Sequence, residues 1–381
     1  ADGRVELPVA AVESALRGAI ADALGADGDA VEAVAITSQA QTFTLLDPRG
    51  QPTRPFISWR DARPEAVAAA ARLRRRLPDF AAHAGFADLL PALQLAQLAA
   101  LRPAASQRPL LLPAYLLYRL TGELAVDANQ AAMTGLYALS AGGWHPPALN
   151  ACGLKASQLP AVIPLGAVGG LTGRGARRFG LPSGIPVVSA GNDQTAGAYG
   201  AAIERDGGVL LTLGTAIAVY ACCDGLPDPA PGRIRGPYPD GRYYRMTADS
   251  CGGGLITWAE TLLAGCGDDD AFFAAAARAP AGANGVRFEP SEATGGGDWC
   301  GGGPAHAPGD FARALLEGLT RRVADRVYDL GLTAPPAVLR AAGGGGGRKL
   351  WRAMIADATG VPVAAARATP LRGAARMAVR G

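Results

Sequence analysis

Ser189-Ala190-Gly191-Asn192-Asp193-Gln194-Thr195-Ala196-Gly197-Ala198-Tyr199-Gly200 is the stretch from which the fold can be read outward. The apolar run before it, Ile185-Pro186-Val187-Val188, predicts a buried strand, and the small residues Ala196 to Ala202 predict a tightly packed helix start. An acidic side chain, Asp193, thus stands on a glycine-flanked turn between strand and helix. In open α/β sheets, ligands bind at the carboxyl ends of strands. A carboxylate there with no cationic neighbour in sequence is a candidate general base. Asp is also a favoured helix cap, and this segment alone leaves both roles open.

Two further segments carry the same kind of signal. Gly207-Gly208-Val209-Leu210-Leu211-Thr212-Leu213-Gly214-Thr215-Ala216-Ile217-Ala218-Val219-Tyr220 predicts strand, tight Gly-Thr turn, strand. Such a turn lets backbone N–H groups and a hydroxyl approach phosphate oxygens, and it is also an ordinary hairpin connection. Gly343 to Gly347 follow the apolar lead Ala337-Val338-Leu339 and precede Arg348-Lys349-Leu350-Trp351. Five glycines suit a flexible linker, or a backbone passing flat beneath a nucleotide. The helical pattern from Trp351 to Thr359 favours a loop that opens a helix.

These segments, in this order, resemble those of the FGGY carbohydrate kinases, within them the members that phosphorylate xylulose. The likeness extends to Ile57-Ser58-Trp59-Arg60-Asp61-Ala62-Arg63, to Leu112 through Glu123, to Arg313-Ala314-Leu315-Leu316-Glu317-Gly318, to Trp351 through Pro362, and to Leu371 through Ala375. It covers nearly the whole chain. No one motif decides it; their number and order do.

The resemblance implies an α/β chain with the two-domain actin-like, ribonuclease H-like fold. It implies a sugar-binding domain over residues 1–203 and a nucleotide-binding domain over 204–381. Asp193 matches the family's catalytic base, with a share in holding Mg²⁺. Gln39, Gln41, Trp59, Asp61 and Gln194 fall on the sugar side. An aromatic plate ringed by polar groups suits a sugar, which presents apolar C–H faces between its hydroxyls. For Trp59 the competing role is core packing, and for Asp61 a surface salt bridge with Arg63. Gly214, Thr215, Gly253, Gly344, Gly345 and Gly346 match the nucleotide-binding turns. ATP and Mg²⁺ are the implied cofactors. The implied activity is phosphorylation of a small sugar, a ketose such as xylulose or a polyol. The alternative is an impaired fragment or inactive relative that binds without turnover.

The chain departs from the family pattern at its start. No D-x-G-T phosphate loop is present, and Ala1-Asp2-Gly3-Arg4-Val5-Glu6-Leu7-Pro8 resembles the region just past the family's first strands. The expectation is a chain truncated at its N-terminus and slightly at its C-terminus, with the strand Val31 to Gln39 left short of a neighbour. After Gln39 the pattern's M-H is replaced by Ala40-Gln41. Gln41 donates and accepts hydrogen bonds but does not titrate near neutrality.

Composition narrows the partners. At 381 residues the chain has the length for about two domains. A formal net charge of +3, with no basic stripe interleaved with aromatics, gives no indication of nucleic acid. No apolar stretch approaches the roughly 20 residues that span a bilayer. The six cysteines show no C-x-x-C pairing, which in a long chain points to thiols in a reducing cytoplasm. His83, His145 and His306 are far apart in sequence, which argues against zinc. The partners expected are therefore sugar and ATP, with a homodimer left open. Val9 to Leu24 and Glu65 to Leu77 predict amphipathic helices, with Arg72 to Arg76 as a solvated helix end.

Overall fold

A computed structural model describes residues 2–24, 31–291, 296–367 and 369–380. The chain divides into two compact units: Ala1–Gly200 with Asp224–Tyr244 and Pro370–Gly381, and Ala201–Cys223 with Arg245–Thr369.

Among the described residues, the two larger sheets of the first unit frame the site. One is antiparallel, in the order Glu6–Leu7, Phe56–Ile57, Phe43–Leu46, Arg108–Leu111. All four residues of Phe43–Leu46 are buried; the strand is covered on both faces, so its sequence does not alternate, and its one polar residue, Thr44, donates its hydroxyl to the Arg54 carbonyl. The other sheet has the order Gly166–Gly170, Pro186–Asn192, Val34–Ser38, and its second pair is parallel. The strand predicted from Val31 is thus Val34–Ser38, and residues 25–30 lie outside the described residues.

The helix Val9–Leu24 has the predicted bounds. The next predicted helix runs Pro64–Arg76, with Pro64 at the first turn where its missing N–H costs nothing. Its final arginines are exposed, and Arg74 and Arg75 donate to the carbonyls of Leu89 and Ala71.

In the second unit, the strands Ile217–Cys223, Val209–Leu213, Leu339–Ala342 and Val363–Ala365 are neighbours in that order. The first pair is antiparallel and the other two are parallel. Helices Asp269–Arg278, Pro308–Asp329 and Lys349–Thr359 contribute to its core, where Trp351, Phe272 and Phe288 are fully buried. The five glycines are an ordered turn that opens Lys349–Thr359, not a linker. Among the described residues, no helix is long and apolar enough to cross a membrane.

Candidate active site

Two parallel strands of the first unit end together. Ser38 is the register partner of Asn192. The next residues, Gln39 and Asp193, therefore leave the sheet from adjacent strand ends, about 5 Å apart in the hydrogen-bonding direction. The ladder is irregular between Ser189 and Asn192, and Gly191 sits there at φ +69°. A bulge of this kind re-aims the residues that follow it. Gly191 is required: its conformation is left-handed, and a Cβ would come within 2.9 Å of the Asn129 Oδ1.

Asp193 is the first residue of the helix Asp193–Gly200. The capping role falls to Asn192, whose Oδ1 accepts the Thr195 amide at 2.8 Å. The carboxylate of Asp193 accepts the Gln194 amide through Oδ1 at 2.8 Å. Burial pushes its pKa up, and that amide pulls it back only in part. A carboxylate with raised proton affinity is the better general base near neutral pH.

Beside it lies a small polar network. Trp59 Nε1 donates to Gln39 Oε1 at 3.0 Å. Gln39 Nε2 donates to Thr42 Oγ1 at 3.0 Å, and the same hydroxyl accepts the Trp59 amide at 3.1 Å. The indole is 46% exposed. It is therefore held at its N–H while part of its face stays open, which is not the core packing weighed for it. Gln41 is half-buried on a left-handed backbone, φ +67°. Gln194 is half-buried on the first turn of the Asp193 helix.

Asp61 differs from the expectation. It is fully buried. Its Oδ1 accepts Arg63 Nε at 2.8 Å, and its Oδ2 accepts Arg63 Nη2 and the Val5 amide, both at 2.8 Å. Gln97 Nε2 also reaches it, at 3.4 Å. With both oxygens engaged and none at the surface, Asp61 braces the loop that carries Trp59 and offers nothing for a sugar hydroxyl. Burial alone would raise its pKa; the Arg63 hydrogen bonds and the two amides outweigh that and hold it at about 2.

In the second unit, Gly214 and Thr215 connect the strands Val209–Leu213 and Ile217–Cys223, and the Thr215 side chain is exposed. Thr212 pairs with Ala342 across parallel strands, so the turn after Leu213 and the glycine turn after Ala342 sit at adjacent carboxyl ends. The Gly253 amide donates to the Gly214 carbonyl at 2.7 Å, and a Cβ on Gly253 would stand 2.8 Å from that oxygen. Gly344 is exposed, Gly345 half-buried and Gly346 buried. Three glycine-bearing turns are thus gathered into one backbone-lined surface, the chemistry that a nucleotide's phosphates and ribose require.

Sequence reasoning missed the residues that hold the Asp193 turn. Asn129 accepts the Asn192 amide at 2.9 Å. Asp127 caps the short helix Ala128–Ala132 and meets Ser189 Oγ at 2.5 Å. The polar residues Asp127, Asn129 and Gln130, set in an otherwise apolar stretch from Ala125 to Ala132, were the available signal. His83 and His145 also meet, with ring centroids 4.6 Å apart, although 62 positions separate them in the chain. No group of three or more metal-ligating side chains occurs among the described residues.

Comparison with known proteins identifies the family of the chain. The N-terminal domain model of the FGGY family of carbohydrate kinases matches residues 8–200, and the C-terminal domain model matches residues 209–381. The xylulose kinase of Escherichia coli (strain K12) is 29% identical over 373 residues, covering 91% of this chain and 75% of that protein. That of Klebsiella pneumoniae is 30% identical over 376 residues, with the same coverage of 91% and 75%. The crystal structure of xylulose kinase from Rhodospirillum rubrum superposes with a TM-score of 0.87 at 26% identity, covering 99% of this chain and 81% of that one.

Proposed function

This chain belongs to the FGGY family of carbohydrate kinases, with the family's two-domain actin-like, ribonuclease H-like fold; we propose that it transfers the γ-phosphoryl group of ATP to a hydroxyl of a small, uncharged sugar, a ketose such as xylulose or a polyol. The observation that carries this reading is the juxtaposition of Gln39 and Asp193 at the ends of two paired strands. A sugar-binding network and a basic carboxylate then stand side by side.

Asp193 takes the proton of the attacking hydroxyl as the O–P bond forms and the bond from Pγ to the bridging oxygen breaks, releasing ADP. Phosphoryl transfer asks little covalent work of a protein; positioning and charge neutralisation dominate. Trp59 supplies an apolar plate for the sugar's C–H face, and Gln39, Gln41 and Gln194 supply neutral donors and acceptors. All four side chains are uncharged, which favours a neutral polyhydroxy compound over a sugar acid. Gly214, Thr215, Gly253 and Gly344 to Gly346 would receive the nucleotide. Mg²⁺, held by one or two carboxylates plus the phosphates, would neutralise the transferring group, with Asp193 as the carboxylate offered.

The experiment is a coupled assay of sugar-dependent ADP release across ketoses, aldoses, polyols and sugar acids. Release with a neutral ketose or polyol, abolished in Asp193→Asn, is the expected result. Release with no sugar, or an Asp193→Asn variant of normal activity, overturns the reading.

A further inference from the structure

We infer that Asn129 is the positioning residue of the base: its single carboxamide grips the chain on both sides of Asp193 and fixes where that carboxylate stands. This rests on the reading of Asp193 given above. Asn129 is fully buried. Its Oδ1 accepts the amide of Asn192, the residue before Asp193, at 2.9 Å. Its Nδ2 donates to Thr195 Oγ1, two residues after Asp193, at 2.8 Å, and to the Pro237 carbonyl at 2.7 Å. The amide orientation is dictated by its partners, since a backbone N–H can only donate and a carbonyl can only accept.

The residue type follows from the same inventory. A carboxylate in place of Asn129 would keep the acceptor, lose both donors and set a second negative charge beside the turn. An alanine would leave the buried Asn192 amide without this partner. Asn129 is itself held by its neighbour, because Asp127 caps the short helix through the Gln130 amide at 2.8 Å and meets Ser189 Oγ. The grip is therefore built from buried, hydrogen-bonded polar groups. Displacing a catalytic group by about 1 Å costs on the order of 10²-fold in rate, so the hold on Asn192 and Thr195 acts on turnover rather than on sugar affinity.

The test compares Asn129→Ala, Thr195→Val, Thr195→Ser and the double variant Asn129→Ala/Thr195→Val, assayed with MgATP and D-xylulose. Two readouts are followed: kcat and KM, and hydrogen exchange of the 189–200 backbone by mass spectrometry. Thr195→Val removes the acceptor at nearly constant volume, and Thr195→Ser restores it. The expected result is a kcat lowered about tenfold or more in Asn129→Ala and Thr195→Val, with the KM for D-xylulose within about threefold. Thr195→Ser recovers both turnover and slow exchange. The double variant is no worse than Asn129→Ala, because Asn129→Ala already removes the bond to Thr195 that Thr195→Val removes. If Asn129→Ala does not fold, the Thr195 pair decides. If D-xylulose is not turned over, the exchange readout on that pair decides. Wild-type turnover and exchange in Thr195→Val overturn the inference. A fully active Asp193→Asn variant instead overturns the kinase reading on which it rests.

Discussion

Ser38 and Asn192 are register partners across two parallel strands, so Gln39 and Asp193 emerge from adjacent strand ends although 154 positions separate them. The bulge at Gly191 and the cap made by Asn192 then turn Asp193 into the first residue of a helix without enlisting its carboxylate as the cap. The side chain is left for chemistry at the cost of being half-buried.

That cost is measurable. Burial raises the pKa of Asp193 above its ordinary value of 3.8. A raised folded-state pKa means the group is best tolerated below the unfolded pKa, and its contribution is lost as pH rises through the folded value. An asparagine stays neutral throughout. Asp193→Asn is therefore expected to lower kcat by about 10²–10⁴-fold and to raise the thermal midpoint at pH 7, an advantage that shrinks as the pH falls toward 3.8. Thermal scans across pH, beside the turnover assay, check both signs; a variant less stable than the wild type at pH 7 contradicts the account.

Trp59 and Gln39 act as one unit through the bond from Nε1 to Oε1. Trp59→Ala removes the plate, and Gln39→Ala frees the indole to rotate. Each is expected to weaken ketose binding by about 1–3 kcal/mol, the range for losing one hydrogen-bonded or aromatic contact. ATP affinity should hold steady, because the glycine turns belong to the other compact unit. Calorimetric titration of both ligands decides; equal losses for sugar and ATP would mean that these residues support the fold instead.

The buried pair Asp61–Arg63 predicts a pH dependence of the opposite sign. The Asp61 pKa falls from 3.8 to about 2 on folding. A depressed pKa contributes stability above the unfolded value and loses it as pH falls through the folded one. The shift corresponds to about 2 kcal/mol at neutral pH. Asp61→Asn is expected to cost about 3 kcal/mol at pH 7, since removing one partner leaves Arg63 buried with less compensation. The gap from wild type should narrow by about 2 kcal/mol as the pH falls from 4 to 2. Denaturant titrations at pH 7 and near pH 3 test this; a constant gap would deny the pair its role.

Much of this was legible in the residues, and the failures have a common cause. Val9–Leu24 was readable because sixteen residues in one helix repeat the period several times. The Gly-Thr hairpin was readable because apolar strands flank a turn, and Leu213 does pair with Ile217. Asp61 was misread as a sugar contact because Trp59-Arg60-Asp61-Ala62-Arg63 does not say which side chains face inward. Its partners Val5 and Gln97 come from 56 positions before it and 36 after. Asn129 escaped for the same reason: its value lies in the turn it touches 63 residues later. His83 and His145 look unrelated until the fold stacks them. Local pattern reveals elements; buried polar pairing across long separations is revealed only by the packed structure.

Gly253 offers a test of the nucleotide side. Its amide donates to the Gly214 carbonyl, and a Cβ there would stand 2.8 Å from that same oxygen, closer than real Cβ contacts allow. The obstacle is backbone, so no side chain can swing aside to relieve it. Gly253→Ala must therefore shift either the Gly214-Thr215 turn or the start of the helix Gly254–Glu260. The expected result is an ATP KM raised about tenfold or more, worth at least 1.4 kcal/mol, with ketose affinity in calorimetry unchanged. Restoring a smaller backbone is impossible beyond glycine, so Thr215→Ala serves as the companion: it removes the exposed hydroxyl while leaving the backbone in place, and it should weaken ATP without the steric component. If Gly253→Ala leaves ATP kinetics untouched, the turn at Gly214 is an ordinary hairpin and the nucleotide lies elsewhere.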